Sequence, residues 1–178
     1  MKKLSNDELN RHSIEEFKKL DKIPLVVVLD NVRSSQNIGS VFRTSDAFLV
    51  EEILLCGICA TPPNNDIRKS ALGAENSVDW RYFKDTRDAV GELKAKGYTV
   101  AAIEQVETSV SLNELDLAKK EKIAVIFGHE VKGVSQEIVG LCDIAIEVPQ
   151  FGTKHSLNIS VCAGIVIWEL FSKLGTTS

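Results

Sequence analysis

The sequence predicts an α/β fold with a mostly parallel sheet flanked by helices. Two runs, Leu25–Leu29 and Ile123–Phe127, are apolar at every position, which is typical of strands buried on both faces of such a sheet. Further strand-like runs alternate with segments of helical period along the chain. With 178 residues, of which 44% are hydrophobic and 26% charged, the chain is long enough for one domain with a sizeable core.

Composition and charge narrow the class of protein. No apolar run approaches the roughly 18 residues of a membrane span, and the first residues lack an apolar signal region. A cytoplasmic protein is therefore expected. The net charge of −4 argues against a protein that coats nucleic acid, although a local basic face remains possible. Lys119, Lys120 and Lys122 form a small basic cluster that we expect to be solvated.

The four cysteines are expected to be free thiols, because they sit in or beside apolar segments. Cys56 and Cys59 have the spacing of a redox or zinc pair. No second pair of ligands follows at a suitable spacing, so no metal site is predicted.

Residues 1–22 are predicted to form a short helical extension ahead of a domain that spans residues 23–178. The stretch Ser5–Glu8 resembles a capping box, and an amphipathic helix can run from it to about Leu20. This helix would pack on the body of the protein or touch a partner.

The first buried strand leads into a polar loop and a helix. Ile38, Val41 and Phe42 recur at helical spacing, which puts Asn37 at the start of this helix and Arg43 within it. Ligands of parallel α/β folds gather at the carboxyl ends of strands, so this turn is a candidate site. A loop of solvated polar residues is the alternative.

The middle of the chain continues the alternation. Strands are predicted at Glu52–Cys56, Asp79–Phe83 and Tyr98–Ile103, and helices at Ile67–Leu72 and Thr86–Lys96. The segment Asp79–Phe83 mixes aromatic and basic residues. We interpret it as an edge strand with its aromatic side chains inward, in preference to a surface on which bases stack.

The turn after Ile123–Phe127 resembles two nucleotide-binding motifs without matching either. A phosphate-binding loop needs lysine at the position of Val134. A dinucleotide fingerprint needs glycine at the position of Glu130. Gly128 and Gly133 bracket this glutamate, which predicts a tight turn with a close backbone approach.

A third strand, loop and helix closes the chain. The strand is Ile144–Val148, and Ser156 is the predicted N-cap of a helix over Leu157–Leu174. This helix is apolar on several sides, as expected in a large core or against a second chain. Its first turn carries Asn158 and Ser160, and free N–H groups there would hold a polar or anionic ligand. A capped core helix is the alternative.

Three ordered segments resemble the motifs of the SpoU (TrmH) branch of the SPOUT RNA methyltransferases. They read DNVRSSQNIGSVFRTSDAF, IAVIFGHEVKGVS and IEVPQFGTKHSLNISVCAGIVIWEL. The resemblance implies that residues 23–178 form a SpoU-type domain with a deep C-terminal trefoil knot. It further implies S-adenosylmethionine as cofactor, a homodimer with active sites at its interface, and no metal.

The implied reaction is methylation of a ribose 2′-hydroxyl in RNA, with tRNA favoured over rRNA because no large rRNA-recognition domain is attached. An RNA-binding protein of the same fold without methyl transfer remains open, as does a methyltransferase that acts on a base. The resemblance assigns the catalytic roles to Arg43, Asn37, Glu130, Ser156 and Asn158. It assigns cofactor contacts, largely through backbone groups, to Ile103, Glu104, Gly128, Val148 and Leu157.

Arg43 is the residue to which the family often gives the role of base. A guanidinium stays protonated in proteins, so we expect it instead to grip a phosphate and the developing alkoxide. Because the chain is acidic overall, RNA affinity should rest on a few local cations, with Arg33, Arg43, Arg68 and Lys69 as candidates.

Overall fold

The computed structural model describes residues 1–5, 7–9, 11–118 and 121–175. Lys119 and Lys120 of the predicted basic cluster lie outside these ranges. Within them, seven strands form one sheet, and every strand pair is parallel. The strands are β1 (Ile23–Asp30), β2 (Val50–Cys56), β3 (Asp79–Phe83), β4 (Thr99–Ile103), β5 (Val110–Ser111), β6 (Ile123–Phe127) and β7 (Ile144–Glu147).

The strand order is β3-β2-β1-β6-β4-β7-β5. Helices cover both faces of this sheet, which confirms the predicted α/β class. They are α1 (Ile14–Lys19), α2 (Ser35–Ala47), α3 (Asn65–Ala71), α4 (Ala74–Ser77), α5 (Thr86–Ala95), α6 (Gln136–Val139) and α7 (Ile159–Leu174). None of the helices described is long and apolar enough to cross a membrane.

The core lies in two layers, one on each face of the sheet. Leu25, Val27 and Leu29 of β1 point into the layer that α2, α3 and α7 cover. Val26 and Val28 point into the other, which α5 and α6 cover. The alternation of side chains along a strand therefore explains why this strand is apolar throughout.

The N-terminal helix is shorter than predicted and is capped elsewhere. The stretch Ser5–Glu8, whose Asn6 lies outside the described residues, leads only into a 3-10 turn at Asp7–Leu9. The α-helix begins after Ser13, whose Oγ accepts the N–H of Glu16 at 3.2 Å while its own N–H donates to the Glu16 carboxylate at 2.8 Å. This second capping box starts the helix, because the helix that follows it buries Phe17 in the core.

The final helix begins two residues later than predicted. Asn158, not Ser156, is the N-cap, because its Oδ1 accepts the N–H groups of Ser160 and Val161 at 2.9 and 3.4 Å. One side of α7 is buried in the core. The other leaves large apolar side chains exposed within the protomer: Val161, Ile165 and Trp168.

Strand β3 is the predicted edge strand, but only part of the prediction about its aromatic residues is right. Trp80 and Phe83 are half-buried and pack on opposite layers of the core. Tyr82 is 47% exposed and donates its hydroxyl to the carbonyl of Gly57 at 2.8 Å. Tyr82 lies two residues after Trp80 and therefore on the same face of the sheet, but it stays exposed near the end of this edge strand.

The predicted free thiols are confirmed, since all four cysteines are unbridged. Burial raises the pKa of Cys56 to about 12 and that of Cys59 to about 11. Both therefore stay protonated at neutral pH, and a thiol is a poorer nucleophile than a thiolate. Cys59 instead donates its thiol to the carbonyl of Leu29 at 3.2 Å.

Candidate active site

A pocket of about 420 Å³ opens at the carboxyl ends of β4, β6 and β7. Its walls are the ends of these strands, the turn after β6, and the loop that leads into α7. All five residues that the sequence resemblance assigned to the cofactor line it: Ile103, Glu104, Gly128, Val148 and Leu157. The structure thus brings together residues from three distant stretches of the chain.

The turn after β6 forms one side of this pocket. His129 and Gly133 exchange backbone hydrogen bonds of 3.1 and 2.8 Å, and Gly133 has a φ of +65°. A Cβ on Gly128 would lie 2.1 Å from the carbonyl carbon of Gly133. The close approach predicted for these glycines is therefore an approach of the turn to itself, and only glycine allows it.

Glu104 supports the same turn with its side chain. Its carboxylate accepts the N–H groups of Val134 and Gln105, each at 3.0 Å. The family resemblance had indicated cofactor contacts made largely through backbone groups. The ion-dipole contacts fix the end of β4 against the turn, so both walls of the pocket are held in register.

Glu130 is the centre of a hydrogen-bond network that reaches the first motif. Its carboxylate accepts the backbone N–H of Arg33 at 3.0 Å, the N–H of Ser34 at 2.8 Å and Nδ2 of Asn37 at 3.4 Å. Burial works to raise the pKa of Glu130, but the N–H donors outweigh it and lower the pKa below its ordinary value. The carboxylate is therefore ionised at neutral pH.

The network continues to the third motif. Nδ2 of Asn158 donates to Oδ1 of Asn37 at 3.3 Å, while Oδ1 of Asn158 caps α7. The two bonds of the Asn37 amide, one given and one accepted, fix which way the amide faces. Asn37, Glu130 and Asn158, one from each motif, thus form a continuous chain beside the pocket.

Acid should weaken this network. Because the pKa of Glu130 is lowered on folding, its contribution to stability is complete above the ordinary carboxyl pKa of about 4.3 and is lost as pH falls through the lower folded value. We expect the free energy of unfolding of the natural protein to exceed that of Glu130→Gln by a constant margin at neutral pH. The margin should shrink below about pH 4.3, in urea titrations at several pH values. A margin that widens in acid would contradict this assignment.

Ser34 is a member of the network that the sequence interpretation missed. Its Oγ accepts the N–H of Asn37 at 3.2 Å and so caps α2, while its own N–H binds Glu130. A serine three residues before Asn37, directly ahead of the helical period, was the signal that could have revealed it.

Ser156 lines the pocket from the loop before α7, where it is exposed. Its side chain takes no part in the cap that the sequence predicted. The loop brings it to the same pocket as Gly128 and Glu130, so the structure retains it at the site although its local role differs.

Arg43 lies outside the pocket. It is exposed on α2, and its guanidinium makes no hydrogen bond or ion pair with another described residue. Asn37 and Arg43 are six positions apart on α2. At 3.6 residues per turn, their side chains point in directions that differ by about 120° around the helix axis. The fold of this chain therefore does not bring these two side chains onto one face of α2.

The remaining predicted cations differ in position. Arg33 borders a shallow cleft of about 350 Å³ that adjoins the pocket at His129 and Glu130. Arg68 lines a separate groove beside α3. Lys69 pairs with Asp66 at 2.9 Å and lines neither pocket nor groove. These three cations therefore do not line one common pocket.

A parallel α/β sheet with a pocket at the carboxyl ends of its strands, built from tight glycine turns, defines a ligand-binding α/β domain of the kind common among enzymes. The particular family follows from comparison with known proteins. The model of the SpoU rRNA methylase family matches residues 24–168, and the chain belongs to this family.

Similar proteins agree with this membership. The tRNA (guanosine(18)-2′-O)-methyltransferase of Thermus thermophilus is 34% identical over 162 residues, which cover 91% of this chain and 81% of that protein. The crystal structure of the A. aeolicus TrmH/SpoU tRNA modifying enzyme has a TM-score of 0.79 at 26% identity, with 90% of this chain and 80% of that one covered. The AdoMet-bound rRNA methyltransferase of Sinorhizobium meliloti has a TM-score of 0.79 at 25% identity, with 90% and 61% covered.

Proposed function

We propose that the protein transfers the methyl group of S-adenosylmethionine to a ribose 2′-hydroxyl of RNA, with tRNA as the substrate. The observation that carries the proposal is the chain of hydrogen bonds from Asn158 through Asn37 to Glu130 beside the pocket. It joins the three family motifs at one place. Membership of a methylase family and the tRNA-modifying relatives support the choice of reaction and substrate.

The pocket suits the cofactor in size and chemistry. Its volume of about 420 Å³ is in the range of sites for nucleoside-sized ligands. Backbone groups at the ends of β4, β6 and β7 offer hydrogen bonds to an adenosine. The cofactor contacts are assigned to Ile103, Glu104, Gly128, Val148 and Leu157. S-adenosylmethionine would supply an electrophilic methyl group that needs no metal.

The residues of this chain would position the hydroxyl and stabilise the charge that develops on it. Asn37, Glu130 and Asn158 hold the first and third motifs against the pocket and give it a fixed shape. Ser156 borders the space where the ribose would lie. Arg43 would bind the neighbouring phosphate and the developing alkoxide, since its head group has no partner among the residues that the structure describes.

We further propose that the protein is a homodimer with its active sites at the interface. Two features of the protomer support this. Val161, Ile165 and Trp168 leave an apolar face on α7 exposed, and such faces mark interaction surfaces. Arg43 lies outside the pocket of its own protomer, so a second protomer is needed to complete the site.

The dimer predicts a particular response to Trp168→Ala. This indole is 53% exposed and touches the rings of Phe48 and Phe171, so the protomer should lose only about 1–2 kcal/mol of stability. Its larger effect should be dissociation at low concentration in sedimentation velocity. Phe42→Ala, at a fully buried position, is the control and should cost about 3–5 kcal/mol of stability. A natural protein that sediments as a fully active monomer would refute the dimer.

The knot and the domain organisation are part of the same proposal. We assign residues 1–22 to a helical extension and residues 23–178 to a SpoU-type domain with a deep trefoil knot near its C-terminus, working in the cytoplasm. The sheet order supports the knot, because β7 inserts between β4 and β5 before α7 returns to pack on α2 and β1. Such a return brings the loop before α7 over the pocket.

The direct cellular test compares ribose methylation of tRNA and of rRNA in cells with and without the protein. Loss of one 2′-O-methylated nucleoside from tRNA alone is expected. Loss from rRNA alone would mean that the substrate is rRNA. Loss of a methylated base would mean that the enzyme methylates a base and not a ribose. Titration of the purified protein with S-adenosylmethionine by calorimetry separates an enzyme from an RNA-binding protein of the same fold, which would give no heat of binding.

A further inference from the structure

We propose that the groove between α3, α4 and the start of β3 binds an unpaired nucleotide of the RNA substrate. The base would stack on Trp80 and the phosphate would bind Arg68. This inference rests on the proposed RNA methylation and deepens it, because it adds an RNA contact away from the reacting ribose. The groove has a volume of about 720 Å³, and among the described residues it shares none with the cofactor pocket.

The outer face of α3 forms one wall of the groove. Arg68 lies within α3, while Asn64 is its N-cap and Leu72 its C-cap, and all three line the groove. Ile67 and Ala71, on the side of the helix that faces the sheet, are buried in the core. The Arg68 side chain is therefore not needed to pack the helix, whereas the Asn64 side chain caps it.

The charge of the groove favours a phosphate. Arg68 is exposed, and its guanidinium makes no ion pair with another described residue. Its neighbour Lys69 is paired with Asp66 and does not line the groove. Glu75 also lines the groove, but its carboxylate accepts the N–H of Gly73 at 3.0 Å. A planar guanidinium without a carboxylate partner matches the oxygens of a phosphate.

The apolar part of the groove favours a base. Trp80 is half-buried, with part of its surface against the main core and part in the groove. Leu72 is 66% exposed at the same groove. Bases splayed from single-stranded RNA stack on aromatic side chains in this way, largely without regard to sequence. An indole and a free guanidinium in one groove thus match the two halves of a nucleotide.

Matched substitutions test the site with unfractionated tRNA in fluorescence anisotropy. Arg68→Ala should weaken binding about tenfold and reduce the slope of log affinity against log salt by roughly 0.7–0.9. Lys69→Ala, one position away, should change affinity less than about twofold because this lysine does not line the groove. Cofactor affinity should be unchanged in both variants.

Trp80 can be tested without removing its apolar packing. Trp80→Leu should weaken tRNA binding roughly fivefold or more, whereas Trp80→Phe should keep most of the affinity because phenylalanine still stacks. The chain has two tryptophans, so in a Trp168→Phe background the fluorescence of Trp80 reports on the groove alone. A short oligouridine should quench it, and Arg68→Ala should reduce the quenching.

Equal loss of affinity in Arg68→Ala and Lys69→Ala, or unchanged binding in Trp80→Leu, would overturn the proposal. Unchanged tRNA binding in every groove variant would do the same and would point to a protein as the occupant. A third result is that the groove substitutions weaken tRNA binding while the natural protein methylates no RNA. That result would support the groove and refute the proposed reaction. The two proposals therefore fail by different results.

Discussion

Arg43→Ala is expected to lower the single-turnover rate of methyl transfer by roughly 10²–10³, the usual cost of losing one electrostatic contact to a transition state. The side chain is exposed and has no partner among the described residues, so its removal should leave the fold unchanged. It does not line the pocket, so cofactor affinity should also stay nearly constant. Arg43→Lys should not restore the rate, because a point charge cannot replace the planar fork of a guanidinium.

Asn158→Ala provides the contrast. This residue caps α7 and bonds Asn37, so its loss should destabilise the protein by about 0.5–2 kcal/mol and weaken cofactor binding together with the rate. Single-turnover assays beside cofactor titrations measure both quantities for both variants. Near-normal turnover in Arg43→Ala, with the oligomeric state of the natural protein unchanged, would show that Arg43 takes no part in the reaction.

The second large effect is expected for Gly128→Ala. The added Cβ would lie 2.1 Å from the carbonyl carbon of Gly133 and 2.2 Å from the backbone nitrogen of Val134, so the turn must open. Backbone cannot yield as a flexible side chain can. We expect a loss of about 1–3 kcal/mol in the free energy of unfolding and at least about a tenfold loss of cofactor affinity, since this turn is a wall of the pocket.

Gly91→Ala is the matched control for that experiment. Gly91 is exposed in α5, and a Cβ there meets nothing within 4 Å. Alanine in a helix interior should add about 0.5–1 kcal/mol of stability and leave the cofactor site untouched. Urea titration and calorimetry with S-adenosylmethionine give both numbers. If Gly128→Ala bound the cofactor as tightly as the natural protein does, the turn would not shape the cofactor site.

The sheet could be predicted from the sequence because its signals are local. Each position of Leu25–Leu29 is apolar, and strand alternation requires that in a sheet covered on both faces. The signal for the tight turn, two glycines at positions 128 and 133 just after a strand, was likewise local. The fold class and the position of this turn therefore followed from short stretches of the chain.

Helix ends were less predictable, because two capping residues competed at each of two places. Ser156 and Asn158 are both good N-caps two residues apart, and only the contact of Asn158 with Asn37 in the folded protein selects the second. Near the N-terminus, the capping signal of Ser13 and Glu16 prevailed because Phe17 lies in the following turn and reaches the core.

The network beside the pocket could not be derived from local patterns. Asn37 bonds Glu130 and Asn158 across 93 and 121 positions of the chain, and no periodicity encodes such pairs. The family resemblance supplied the residues but not their bonds. It also did not reveal that Arg43 lies off the pocket in a single protomer, because that depends on the orientation of α2 against α7.

The most direct test of the central claim is to incubate the purified protein with S-adenosylmethionine and tRNA that lacks modifications, then digest the tRNA and analyse its nucleosides by mass spectrometry. We expect one nucleoside with a methyl group on its ribose 2′-oxygen, formed by the natural protein and almost absent with Arg43→Ala. A methyl group on a base, or no methyl transfer to tRNA while the protein still binds both tRNA and cofactor, would contradict it.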